Sequence, residues 1–107
     1  MDIKNVINTI SPRLQKRMQG TLVRIILYGS CARNEANDDS DIDIALVIDR
    51  DVSPGEIIEQ VADIINDINL DFNVLVSVYP VSEKKYNNTN SPLLLNIRKE
   101  GKTVWKK

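Results

Sequence analysis

The stretch Leu27–Ile48, LYGSCARNEANDDSDIDIALVI, decides how this chain is read. Val23 to Tyr28 leads into it as a β-branched and aromatic run, and Asp41 to Ile48 leads out in the same way, so both are predicted strands of one sheet. Gly29 ends the first strand and opens a short helix expected over Ser30 to Glu35. A glycine there lets backbone approach an anion closely, while N–H groups and the positive helix end face it. Phosphate suits such a turn, and the Ser30 hydroxyl adds a donor. Taken alone, a Gly-Ser pair is more often a tight turn with a cap.

Asp41-Ile42-Asp43 is the second half of the pattern. Residues two apart on a strand share a face and lie about 6.6 Å apart, near enough for both carboxylates to grip one divalent ion or two adjacent ones. An all-oxygen site of this kind suits magnesium, which keeps positions for water and phosphate. The competing reading is a solvated acidic loop, since NDDSD is made of turn formers. Against it, the apolar residues from Ile42 to Ile48 demand burial, and two like charges at a buried strand's edge are unfavourable without a cation. An EF-hand fails: counted from Asp39, the required glycine falls on Ile44 and the terminal glutamate on Arg50.

Outward from this centre, Ile3, Val6, Ile7 and Ile10 have helical spacing, and Ser11-Pro12 reads as the start of a second short helix through Leu14 and Met18. Ser53-Pro54-Gly55-Glu56 resembles a capping box, followed by a helix to Ile68 whose face is Ile57, Ile58, Val61, Ile64, Ile65 and Ile68. Alternation over Asp71 to Val78 predicts a third strand, with Asp71, Asn73, Leu75 and Ser77 on one side. Ser82 and Ser91 read as helix caps, Gly101 as a stop, Lys102 to Trp105 as a short strand, and Tyr86 to Ser91 as a mobile loop. The whole, residues 1–107, reads as a single α/β (α+β) domain with a mixed sheet and flanking helices.

GSCARNEANDDSDID resembles the GSxARGxAxxxSDxD signature of minimal nucleotidyltransferases, a branch of the polymerase beta-like superfamily. Gly29, Ser30, Ala32, Arg33, Ala36, Ser40, Asp41 and Asp43 match it; Asn34 replaces a glycine, and asparagine tolerates a left-handed backbone nearly as well. The likeness extends more loosely from about Val23 to the C-terminus, through SPLLLNIRKEGKTVW. It implies the nucleotidyltransferase fold and an enzyme that transfers a nucleoside monophosphate, AMP above others, from a triphosphate to a hydroxyl of a protein or RNA. Asp41 and Asp43 would hold two Mg2+ ions, Gly29 and Ser30 the triphosphate, ATP first among candidates, and Arg33 would neutralise phosphate charge or else lie solvated. Members usually carry a third carboxylate on a following strand. Asp71 is the charged candidate for that catalytic, metal-holding place; Asn73 and Ser77 share its parity. The likeness also implies an alternative: a catalytically weak, nucleotide-binding antitoxin paired with a helical HEPN-type toxin.

Composition narrows the rest. No histidine is present, which removes His-based nucleophile pairs, zinc deaminases and HExxH proteases. A net charge of -1 argues against a broad nucleic-acid or membrane footprint, and the basic tail from Arg98 to Lys107 reads as a solvated face. One cysteine, Cys31, and no membrane-length apolar run lead to a cytoplasmic expectation; Cys31 itself reads as filler, with its thiol pKa lowered by the helix start.

Overall fold

The computed structural model describes residues 2–37 and 39–107; Asp38 of the acidic loop lies outside them. Helix α1 (Ile3–Arg17) leads to strand β1 (Leu22–Tyr28), a 3-10 turn (Gly29–Cys31) and strand β2 (Ile42–Ile48). Helix α2 (Pro54–Phe72), strand β3 (Val76–Ser82), helices α3 (Glu83–Asn88) and α4 (Pro92–Glu100), and strand β4 (Lys102–Lys106) complete the chain. The sheet is mixed, in the order β3-β2-β1-β4: β1 pairs antiparallel with β2 and β4, and β2 pairs parallel with β3. This is the expected α+β architecture. The parallel pair requires a crossover, and α2 supplies it.

Strand alternation divides the core between the two sheet faces. Ile25, Leu27, Ile42, Ile44, Leu46 and Val76 point toward α1 and α2, which contribute Val6, Ile10, Leu14, Val61 and Ile68. Ile26, Ala45, Val47 and Val81 point the other way, toward Tyr86, Leu94 and Ile97 of α3 and α4. Helices cover both faces, which is why β2 is almost wholly apolar. No helix of the described residues is long and apolar enough to cross a membrane.

The structure departs from the sequence expectation in several local features. The N-terminal segment is one helix with Pro12 inside it, not two. Pro12 and Asn8 are both exposed, so the carbonyl that proline leaves unpaired faces water while the buried stripe Val6, Ile10, Leu14 runs on. Ser53 caps α2 without a side-chain hydrogen bond, so the capping box does not form. Tyr86 to Ser91 is no loose loop: α3 runs to Asn88, Tyr86 is buried, and Arg98 donates to the carbonyls of Tyr86 (2.6 Å) and Thr89 (2.8 Å) and to Asn90 Oδ1 (2.6 Å). The caps at Ser82 and Ser91 form as read, accepting from the Lys85 and Leu94 amides.

The largest displacement concerns the third strand. α2 does not stop near Ile68; it continues to Phe72, and Asn73 ends it at φ 51 in the left-handed region. Asn69 then accepts from the Val74 amide through its carbonyl and from the Val76 amide through Oδ1, so the strand starts at Val76. β3 passes through Pro80, which an edge strand tolerates because one side of its backbone has no strand partner among the described residues.

Candidate active site

The C-terminal end of β1 and the N-terminal ends of β2 and β3 meet at one end of the sheet. Tyr28 lies opposite Asp43 on one side, and Ser77 lies opposite Asp43 on the other. Asp41 precedes β2 and is exposed, with the Ile42 amide fixed by the Leu75 carbonyl at 2.9 Å. Immediately after Tyr28 the chain turns at Gly29, whose φ of 73 belongs to the left-handed region. A Cβ at Gly29 would stand 2.5 Å from Asp43 Oδ2. Both the turn and the carboxylate resting on it therefore require glycine.

Gly29 to Cys31 form a single 3-10 turn, shorter than the helix expected from Ser30 to Glu35; it closes with the Ala32 and Arg33 amides donating to the Gly29 carbonyl at 3.1 and 3.2 Å. Asn34 follows at φ 59, the left-handed conformation anticipated for the residue that replaces glycine in the signature. Arg33 is exposed and shared by two acids: Nε lies 3.1 Å from Glu35 Oε2 and Nη1 lies 3.3 Å from Glu100 Oε2. Glu100 ends α4, so this contact ties the turn to a distant element.

The electrostatics follow from burial. Desolvation first, and then the Asp41 charge, push the Asp43 carboxyl above its ordinary range, while Arg33 opposes the shift. Burial pushes the Tyr28 phenol up to about 12, with Asp43 and Tyr79 adding to it. The Cys31 thiol is raised, not lowered: burial dominates, Asp43 and Asp41 add, and only the Ser30 hydroxyl opposes. Cys31 is buried and directs its Sγ to the Asp41 carbonyl at 3.5 Å, which makes it packing for the turn. Asp43, partly buried and facing the Asp41 charge, forms with Asp41 an all-oxygen donor set whose like-charge repulsion a hard divalent cation relieves. The residues present fit such an ion.

The structure thus joins Gly29, Asp41 and Asp43, with Ser30 in the same turn and Arg33 near enough to act on Asp43. It does not join Asp71 to them. Asp71 sits exposed in the last turn of α2, and among the described residues no three His, Cys, Asp or Glu side chains are grouped to hold a metal ion. Its assignment to a strand, and with it the reason for naming it a third catalytic and metal-holding carboxylate, is corrected. The alternation that suggested a strand from Asp71 is the end of a helix followed by a left-handed turn. Asn73 is that turn; of the three positions weighed, only Ser77 lies on β3. Tyr28 and Glu100 were missed, because each depends on a pairing between elements that no local pattern contains.

Residues 8–107 match the family described as polymerase beta, nucleotidyltransferase. The chain belongs to that family. This nucleotidyltransferase is also 30% identical over 104 residues to a provisionally named protein adenylyltransferase of Methanocaldococcus jannaschii, covering 96% of this chain and 94% of the relative. Two solved structures share the fold. One, a toxin-antitoxin with AMP-PNP, has a TM-score of 0.65 at 17% identity, covering 92% of this chain and 72% of that one. The other, a tri-AMPylated Shewanella oneidensis HEPN toxin in complex with its MNT antitoxin, has a TM-score of 0.58 at 18% identity, covering 100% of this chain and 74% of that one.

Proposed function

We propose that this nucleotidyltransferase, acting as one domain, moves AMP from ATP to a hydroxyl of a protein, and that Asp41, Asp43, Gly29 and Ser30 do the work. The observation that carries the reading is the Asp43 carboxylate seated against the Gly29 backbone, since it brings an oxygen donor for a cation and the glycine turn to one point. Bound Mg2+ would neutralise charge on the triphosphate and activate the acceptor oxygen. Asp41 and Asp43 hold the cation. The Gly29 turn and the Ser30 hydroxyl hold the outer phosphates, which leave as pyrophosphate. The acceptor oxygen bonds to the α-phosphorus as the α–β bridge breaks, and the hydroxyl proton passes to solvent. Arg33, restrained by Glu35 and Glu100, adds positive charge near the phosphates.

A protein acceptor is supported by the name of the M. jannaschii relative, a toxin partner by the two solved structures of like fold, and a HEPN-type one by the Shewanella oneidensis complex. The net charge of -1 favours a protein over an RNA acceptor. The same partner fits the second reading, an antitoxin that holds nucleotide and turns over slowly. A cytoplasmic setting accords with the free, buried Cys31. The test is label transfer from α-labelled ATP, with magnesium, to a protein captured from the native cell. Label on the partner that disappears with Asp41→Asn/Asp43→Asn is expected. Nucleotide binding without label would establish the second reading.

A further inference from the structure

We infer that Ser77 occupies the place of a third metal ligand, so that this chain holds one divalent cation with its nucleotide and not two; the inference rests on the nucleotidyltransferase site proposed above. The placement comes from strand register. Ile42 pairs with Val76 and Asp43 with Ser77 across the parallel β2–β3 ladder. Ile42 and Val76 are both buried beneath α1 and α2. Alternation then sets Asp43 and Ser77 side by side on the opposite face, with strands about 4.8 Å apart. Ser77 is exposed, so packing does not demand a small residue there.

Charge decides what that place can hold. The two cross-strand neighbours of Asp43 are Tyr28 and Ser77, a phenol and an alcohol, both neutral near pH 7. Paired divalent ions stand about 3.5–4 Å apart and repel strongly, so they need several bridging or flanking carboxylates. Asp41 and Asp43 offer two, and the described residues group no third acid with them. A neutral hydroxyl beside Asp43 leaves one cation, the one the triphosphate itself helps to hold. A carboxylate at the same register position would lie beside Asp43 and complete a second site.

The experiment counts bound Mn2+ by equilibrium dialysis with α,β-methylene ATP, which cannot transfer its nucleotide. The parent is expected to hold one Mn2+ per bound nucleotide, Ser77→Asp two, and Ser77→Asn one, which separates charge from bulk. Ser77→Glu repeats the measurement should the aspartate variant fail to fold. Two Mn2+ in the parent, none with nucleotide bound, or no gain in either carboxylate variant would each overturn the inference. Failure of the parent to bind the nucleotide at all would instead overturn the underlying site.

Discussion

At the scale of single residues, Gly29 carries two demands that one substitution tests together. Gly29→Ala forces an L side chain to φ 73 and sets its methyl against Asp43 Oδ2. The left-handed backbone alone should cost about 1–2 kcal/mol, read by urea unfolding. The thermal response to Mg-ATP should vanish with it, because the carboxylate has to leave the turn. A variant that is less stable yet responds fully would show that phosphate is held elsewhere. Asp71 gives the opposite expectation: Asp71→Asn lies on the exposed end of α2 and should leave label transfer within about twofold of the parent, as surface changes usually do. A hundredfold loss would return that residue to the site.

At the scale of elements, α1 and α2 are tied by Arg17, which donates to Asp63 Oδ1 and Oδ2 at 2.7 and 2.8 Å and to the Gln60 carbonyl at 2.7 Å. The Arg17 hydrogen bonds hold the Asp63 carboxyl down to about 2. A carboxyl lowered in the folded state stabilises above its unfolded pKa, about 3.9, and that contribution is lost as pH falls through the folded value. The stability difference between Asp63→Asn and the parent should therefore be constant above about pH 5 and close between about pH 4 and pH 2. Denaturant unfolding across that range measures it; a gap unchanged at pH 2 would assign the difference to packing. The end of α2 makes a separate expectation. Asn73→Gly should be tolerated at φ 51, whereas Asn73→Ala should lose about 1 kcal/mol in the same measurement.

At the scale of the whole molecule, ligand and fold are linked. Mg-ATP held only by the folded chain stabilises it by about 2.7 kcal/mol at roughly one hundred times Kd. For a domain of this size that is a rise in Tm of at least several degrees, at ~4–8 °C per kcal/mol. Asp41→Asn/Asp43→Asn should abolish the rise without lowering the apo midpoint, because it removes two repelling charges; an equal rise in the double variant would refute the site. How much of this was legible beforehand follows from the range of each interaction. Sequence by itself determined β1, β2, the helix beginning at Pro54, the Ser82 and Ser91 caps, the left-handed Asn34 and the pairing of Gly29-Ser30 with Asp41 and Asp43. These rest on periodicity, side-chain size and spacing within a few residues. Only the tertiary structure decided that α2 runs on past Ile68, that Asp71 stands on a helix, that Cys31 is buried, and that Tyr28 and Ser77 flank Asp43. The residues from Asp71 to Val78 satisfy a period of two as a strand and, over their first turn, the end of an amphipathic helix, so burial against the sheet had to choose. Register between parallel strands joined by a 19-residue helix is set by how that helix packs, and no neighbour in sequence reports it.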